Sequence, residues 1–333
     1  MNNIKTVSGR EFNQIDGKSI LESAEAAGIN LQYSCRTGRC SSCKCKLIGG
    51  ITDTINDELG LSKSEKDEGY ILSCVRYAKD DIEIQVDDLG DIKLPKAKTI
   101  PCKISNLNLL SNDVMQLFLR IPPSMEFNFL PGQYINLISP TGIKRSYSIA
   151  NNFQDNLIEM HIKKVPKGKF SEYLFNEANE NDLLRLNGPH GTFFLRENTK
   201  GIIFLATGTG IAPIKSILDS IDVQKGFKSK PIYVVWGGRK DSDIYLDLCG
   251  LYKNINFKYF SVLSRPKSNW NGRIGYVQDA ILEEKLNLSE YNVYACGLDN
   301  MITDAKYIFL KNGLNQNEFF SDAFVDSSDI MLT

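Results

Sequence analysis

Four of the chain's eight cysteines crowd between positions 35 and 45, and a fifth stands further on at 74. The run reads Cys35-Arg-Thr-Gly-Arg-Cys40-Ser-Ser-Cys43. With Cys74 it makes C-x4-C-x2-C…C, a spacing at which four thiolates hold a [2Fe–2S] cluster. Such a loop must wrap around the cluster, and Gly38 permits the backbone angles that this requires. Ser41, Ser42 and the loop amides are candidate donors to sulfur. The alternative is a zinc site, but zinc favours paired C-x2-C knuckles and only Cys40–Cys43 has that form. Cys45 is surplus; strand alternation sets it opposite Lys44, so packing is its expected role. A disulfide scaffold does not suit a chain of 333 residues without an export signal.

That length allows two or three domains at roughly 100–200 residues each. Three rhythms divide it. Residues 1–92 hold short strand-like pieces, a helical run at Ser19–Ala27 that stops at Gly28, and an alternating strand at Asp81–Val86. Asp91–Pro101, with Pro95, Pro101 and three lysines, reads as a linker, and 93–98 is taken as its extent. Residues 99–197 are strand-rich: Val114–Ile121, Gln133–Ile138, Arg145–Ala150, Leu157–Val165 and Leu183–Leu186, interrupted by a helical piece at Phe170–Asn176. Short strands with Pro/Gly turns predict a small antiparallel β-barrel. Residues 198–333 alternate strands at Ile202–Ala206, Ile232–Val235, Phe257–Val262 and Val293–Ala295 with helices at Ala212–Ile221, Ile244–Tyr252, Gly275–Glu284 and Asn300–Lys311. That predicts an α/β domain with a doubly wound parallel sheet.

Composition excludes some functions. A net charge of −1 advertises neither nucleic-acid binding nor an acidic tail. No stretch approaches the ~18 apolar residues of a membrane span. The opening residues, MNNIKTVSGREF, lack a signal-peptide core. A cytoplasmic protein without membrane or nucleic-acid partners is expected. His161 and His190, the only two histidines, have no spaced partner and are read as structural. The lysines around 163–169 and 225–230 are read as solvated faces, the first of them also near phosphate.

Thr207-Gly208-Thr209-Gly210-Ile211-Ala212-Pro213 lies between a predicted strand and helix. Its glycines let the backbone approach a dinucleotide, and the helix N-terminus favours phosphate. The pattern is G-x-G-x-x-P, not the Rossmann G-x-G-x-x-G. Upstream, Pro131-Gly132-Gln133-Tyr134 precedes Arg145-Ser146-Tyr147-Ser148. On these motifs the chain resembles the ferredoxin–NADP reductase superfamily, and residues 1–92 resemble a plant-type ferredoxin with a β-grasp (α+β) fold. The resemblance covers essentially the whole length.

It implies that R-x-Y-S is a flavin signature. Tyr147 would plate the ring, Ser148 would donate near N5 as a catalytic group, and Arg145 would meet phosphate. Alternation puts Ser146 and Ser148 on the other face from Arg145 and Tyr147. Ile162-Lys163 and Gly168-Lys169-Phe170-Ser171 add support, the latter opening a helix fit for a pyrophosphate and so for FAD in preference to FMN. Gly237-Gly238-Arg239 follows the second parallel strand. Cys296-Gly297 resembles the family's pair near the nicotinamide, which makes Cys296 the second catalytic candidate beside Ser148, in preference to the alternative of a buried small hydrophobe. Phe324, in Phe320-Ser321-Asp322-Ala323-Phe324, either approaches the flavin or closes the sheet. NADH is implied; Arg239 or Ser264-Arg265 leaves NADPH open.

The circuit so implied runs from NAD(P)H through FAD and the [2Fe–2S] cluster to a terminal electron-acceptor protein, with the reductase a monomer. Gly188-Pro189-His190-Gly191-Thr192-Phe193-Phe194 and Phe319–Phe324 resemble the CDP-6-deoxy-Δ3,4-glucoseen reductases, whose partner is an iron–sulfur dehydrase of deoxysugar synthesis. Reductase components of aromatic-ring dioxygenases and di-iron monooxygenases share the architecture, which makes an oxygenase the alternative acceptor. A redox-sensing binding protein is a third reading, and the intact Gly208–Pro213 loop argues against it.

Overall fold

The computed structural model describes residues 2–152, 156–196, 200–224, 231–253 and 255–324. The lysine run 225–230 lies outside them. The chain divides into two compact units, Met1–Leu94 and Pro95–Thr333.

In the first unit the strands are β1 (Asn3–Thr6), β2 (Glu11–Asn13), β3 (Lys44–Gly49), β4 (Thr52–Thr54), β5 (Tyr70–Leu72), β6 (Arg76–Ala78) and β7 (Ile82–Gln85). A five-stranded sheet has the order β2-β1-β7-β3-β5, and β4 pairs with β6. Helix α1 (Ile20–Ala26) is set by a capping box in which Ser19 and Glu22 serve each other's backbone amides. It ends before Gly28 at φ +77°. Ser62 and Glu65 repeat the device for α2 (Lys63–Asp67). Ile20, Leu21 and Ala24 of α1 join Ile4, Leu72 and Ile84 of the sheet in one core.

The second unit opens with a barrel: β8 (Lys98–Ser111), β9 (Val114–Arg120), β10 (Tyr134–Ile138), β11 (Lys144–Ser148), β12 (Leu157–Lys163), α3 (Lys169–Asn176) and β13 (Leu183–His190). Its antiparallel sheet runs β11-β10-β13-β8-β9-β12, and a bridge between Ile149 and Met160 joins the two ends. The long β8 was not expected. It begins at Lys98, inside the stretch read as linker, and Pro101 sits where β8 pairs with β13 but not yet with β9. There the strand has a free edge, so the missing N–H leaves no gap in the ladder.

The remainder is a parallel sheet in the order β17-β16-β15-β14-β18-β19. Its elements are β14 (Gly201–Thr207), a 3-10 turn (Gly208–Gly210), α4 (Ile211–Gln224), β15 (Ile232–Gly238), α5 (Leu248–Leu251), β16 (Phe257–Leu263), β17 (Arg273–Ile274), α6 (Val277–Leu282), β18 (Tyr291–Leu298), α7 (Asp299–Lys311) and β19 (Phe319–Phe324). Ile214, Ile217, Leu218 and Ile221 of α4 form one core with Phe204, Val234, Trp236 and Tyr294 of the sheet. The helix expected over Ile244–Tyr252 shrinks to α5. Asp247 caps it by accepting from the Gly250 amide at 3.0 Å, while Ile244–Leu246 stay non-helical against the core.

Candidate functional site

The cysteine loop is held by backbone that few residues adopt: Arg36, Gly38 and Ser41 have φ of +58°, +73° and +57°. A Cβ at Gly38 would strike the Asp57 carbonyl and reach Val75 Cγ2 at 3.2 Å. The loop's amides already face sulfur. Thr37 N–H donates to Cys35 Sγ at 3.4 Å and Cys35 N–H to Cys40 Sγ at 3.3 Å. The amides of Gly38, Arg39 and Ser42 are directed at Cys74, Cys35 and Cys40. The Ser41 hydroxyl instead donates to the Gly60 carbonyl.

The four thiols fall into two pairs. Cys43 and Cys74 have sulfurs 3.1 Å apart, and Cys35 and Cys40 are within hydrogen-bonding reach. Among the described residues no three His, Cys, Asp or Glu side chains gather as ligands of one ion. The paired thiols suit a two-iron cluster, in which each iron takes two protein ligands. Donor set, paired sulfurs and inward amides all fit the group. Cys45 is buried in the core, paired across the sheet with Ile71, and burial beside Glu58 pushes its thiol up to about 12.

On β11, Tyr147 is half-buried and its ring meets Phe170 at 5.9 Å, so the R-x-Y-S strand touches the first turn of α3. Ser148 is buried beside Tyr134 of β10, and Ser146 donates to Asn136 Oδ1 at 2.7 Å. Arg145 is half-buried, with one Nη donating to the Lys144 carbonyl. Gly168 caps α3 without a side-chain bond, leaving the first helical amides for an anion. Lys169 is exposed beside them. Ser171 is differently engaged: its hydroxyl closes its own loop through Val165 and Gly168. Ile162 lies in the barrel core, and Lys163 pairs with Asp113 at 2.7 Å and Asp243 at 3.6 Å. An aromatic plate beside free helix amides fits a flavin with a pyrophosphate.

Thr207–Gly210 crosses the ends of β14 and β18. Thr207 Oγ1 accepts from Leu298 N–H at 2.9 Å. A Cβ on Gly210 would meet the Cys296 carbonyl carbon at 2.6 Å, and one on Gly297 the Thr207 carbonyl at 2.7 Å. Gly208, at φ +54°, has open space above it, and neither it nor Thr209 is covered by a side-chain cap. Pro213 is buried in the first turn of α4. This bare, close-packed turn fits a dinucleotide backbone.

At the end of β15, Gly237 packs on Val277 and Gly238 on Asp243, whose carboxylate takes the amides of Arg239 and Lys240. Arg265 N–H donates to the Arg239 carbonyl at 3.0 Å, so both arginines follow the C-terminal ends of the neighbouring strands β15 and β16. Cys296 is fully buried in the core below the turn, and burial pushes its thiol well above the usual range. Phe324 ends the edge strand β19 at 36% exposure, opposite Leu298.

Sequence reasoning missed what lies behind these loops. Glu159 and His161 of β12 and Lys215 of α4 are buried together: Lys215 Nζ donates to Glu159 Oε2 at 2.9 Å, and His161 Nε2 lies 2.9 Å from Oε1. Burial raises the Glu159 carboxyl, but the His161 hydrogen bond and the Lys215 charge outweigh it and hold it near 2. Burial depresses His161 below its ordinary 6.5. Both shifts make the native state less stable in acid than at neutral pH. The Glu159 contribution, at most about 3 kcal/mol, is complete above the unfolded value near 4.5 and disappears as the pH falls through 2. His161 adds a loss below 6.5, where only the unfolded chain takes up its proton. Chemical denaturation from pH 7 to 3 should therefore give a shallower decline for Glu159→Gln/His161→Gln, which removes both titrating groups, than for the wild type; equal slopes would remove the pair from acid sensitivity.

Residues 4–79 match the 2Fe-2S iron-sulfur cluster binding domain, 101–195 the oxidoreductase FAD-binding domain and 204–307 the oxidoreductase NAD-binding domain. The chain is 41% identical to the CDP-6-deoxy-L-threo-D-glycero-4-hexulose-3-dehydrase reductase of Yersinia pestis, over 96% of this chain and 97% of the relative. It is 31% identical to the toluate 1,2-dioxygenase electron transfer component of Pseudomonas putida, covering 94% of each. A ferredoxin reductase in carbazole 1,9a-dioxygenase superposes with a TM-score of 0.70 at 27% identity, covering 97% of this chain and 98% of that one. The Amycolatopsis cytochrome P450 reductase shares the fold at TM-score 0.77 and 24% identity, covering 98% and 100%. No helix among the described residues is long and apolar enough to cross a membrane. The chain thus belongs to the ferredoxin–NAD(P) reductase family, as an NAD(P)H-dependent oxidoreductase that carries electrons through FAD and a [2Fe–2S] cluster to a partner protein.

Proposed function

We propose that the partner is an iron–sulfur dehydrase of deoxysugar synthesis, that NADH is the donor and that the reductase acts as a monomer. One observation carries the choice of partner: 41% identity over nearly the full chain to a hexulose-3-dehydrase reductase, against 31% to a dioxygenase component. In this reading Cys35 and Cys40 hold one iron, and Cys43 and Cys74 the other. Tyr147 excludes water from one face of the flavin ring, Ser148 donates to it near N5, and Arg145 with the α3 amides neutralises the pyrophosphate. Thr207–Pro213 carries the dinucleotide phosphates, and Gly237–Arg239 flanks the ribose end. Cys296 acts from beneath the nicotinamide through its carbonyl and the Gly297 turn, its thiol being core. Phe324 shields the ring's remaining face. Bound at these sites, a flavin would supply acceptance of one hydride, an electron pair, and a [2Fe–2S] cluster near about −400 mV would supply its release as single electrons.

The test pairs the purified reductase with a reconstituted iron–sulfur sugar dehydrase and, separately, with an aromatic-ring dioxygenase. NADH-driven turnover of the dehydrase alone is the expected result. Turnover of the oxygenase alone would overturn the partner assignment.

Two substitutions check the flavin roles. Tyr147→Ala should shed flavin on gel filtration, because the stacking area is lost. Ser148→Ala should keep it and slow flavin bleaching by NADH at least about tenfold, because a donor is removed from developing charge. Wild-type bleaching by the second variant would remove Ser148 from the chemistry.

A further inference from the structure

The buried polar cluster behind the two nucleotide loops makes no use of its charge at any assigned cofactor contact. Its geometry is directional. Lys215 Nζ donates to Glu159 Oε2 at 2.9 Å, to the Ala150 carbonyl at 3.1 Å and to Asp219 Oδ2 at 3.2 Å, so all three ammonium protons have acceptors. Ala150 lies two residues past Ser148, the end of the flavin strand. Lys215 lies five residues past Gly210, the end of the nucleotide turn. The next residue, Ser216, donates to the Asn151 carbonyl at 2.7 Å and doubles the tie.

A second route leaves the same carboxylate. His161 Nδ1 lies 3.2 Å from the Tyr245 hydroxyl. The Tyr245 ring stands edge-on to Trp236 at 4.9 Å, and Trp236 Nε1–H donates to the Gly208 carbonyl at 2.9 Å. Both routes run from β12 to the Thr207–Gly210 turn, one through the rigid start of α4 and one through an indole.

An ion pair this buried adds little to stability compared with apolar packing of the same volume. What it adds is direction: apolar surfaces slide with little change in energy, whereas donors and acceptors fix one alignment. We propose that Lys215 is a positioning residue for hydride transfer, fixing the nucleotide turn against the end of the flavin strand through Glu159 and the Ala150 carbonyl. The inference rests on the assignment of flavin to Arg145–Ser148 and of the dinucleotide to Thr207–Pro213.

Two variants of the full, cofactor-loaded chain test it. Lys215→Met removes the tie but strands the buried Glu159 carboxylate; Lys215→Met/Glu159→Gln removes the tie and that charge, leaving only Asp219, which is partly exposed and keeps the Tyr252 hydroxyl as donor. Both should keep stoichiometric FAD and an NADH dissociation constant close to that of the wild type. Single-turnover flavin reduction at saturating NADH should fall by about 100-fold in each, the effect of roughly 1 Å of misplacement. In the oxidised, nucleotide-free protein, amide hydrogen exchange over 149–152 and 207–210 should rise by about tenfold, with Tyr134–Ile138 unchanged. A purely structural ion pair would give a double variant with wild-type reduction rate and exchange, and that result overturns the proposal. Loss of FAD from the double variant overturns it too, because a tie that only sets spacing leaves the flavin strand intact. If NADH fails to reduce the wild-type flavin, the dinucleotide assignment falls instead, and the exchange measurement still decides whether Lys215 holds the two loops.

Discussion

Cys74→Ser should leave NADH-dependent ferricyanide reduction within about twofold of wild type while removing most reduction of cytochrome c or of the iron–sulfur partner. The split follows from where the groups reside. All four cysteines proposed as cluster ligands belong to the unit Met1–Leu94, whereas the proposed flavin strand and nucleotide turn both belong to Pro95–Thr333. Hydride transfer needs its reacting atoms within about 3–3.5 Å, and every residue assigned to that step lies in the second unit. Ferricyanide takes electrons from any exposed reduced centre; a protein acceptor needs a one-electron carrier that it can dock against. Cys74 is a suitable target because its sulfur lies 3.1 Å from that of Cys43, so in the proposed ligation its loss leaves one iron with a single thiolate. A chain shortened to begin at Ala97 retains all of β8 and should behave in the same way. The competing account makes the flavin the direct donor and the N-terminal unit only a docking surface. Equal rates to the partner with and without the cluster would establish that account and break the proposed circuit.

How far the sequence can be read depends on what each signal reports. Cysteine spacing is set by a cluster's own dimensions, so it points to the ligand loop whatever surrounds it. Apolar periodicity reports which face is covered, not by what. In β12 the residues Ile158, Met160 and Ile162 alternate with Glu159, His161 and Lys163, the pattern of a strand with one wet face. That face is covered, because α4 and Tyr245 close over it within the same unit. Lys215 carried a signal that was passed over. It stands four residues after Ile211 and three before Leu218, within the helix's buried stripe, with Asp219 one turn on. A lysine in an apolar stripe needs buried acceptors, and β12 was the place to look for them. The strand β8 was hidden for another reason: its alternation at Ile100, Cys102 and Ile104 breaks at a register shift near Asn106, and Pro101 reads as a stop.

Gly210→Ala is expected to slow flavin reduction by NADH by about 100-fold or more while FAD stays bound. The reason is contact, not backbone strain. A methyl group at Gly210 lands 2.6 Å from the Cys296 carbonyl carbon and 2.9 Å from Gly297 Cα. Both are backbone atoms at the end of a central strand, so neither can swing aside as a side chain would. The turn must lift off β18, which costs about 1–3 kcal/mol as overpacking and moves the dinucleotide away from the flavin edge. Gly208 supplies the contrast. It has φ +54° but nothing within 4 Å, so Gly208→Ala carries only the left-handed strain of about 1–2 kcal/mol and no collision. The two variants should therefore separate: similar small losses in melting temperature, but a far larger loss of hydride transfer at Gly210. Stopped-flow bleaching of the flavin by NADH measures the difference, with retained FAD absorbance as the control. If Gly210→Ala bleaches as fast as Gly208→Ala, close approach of the turn to Cys296 does not govern hydride delivery, and the nicotinamide must be positioned by another part of the chain.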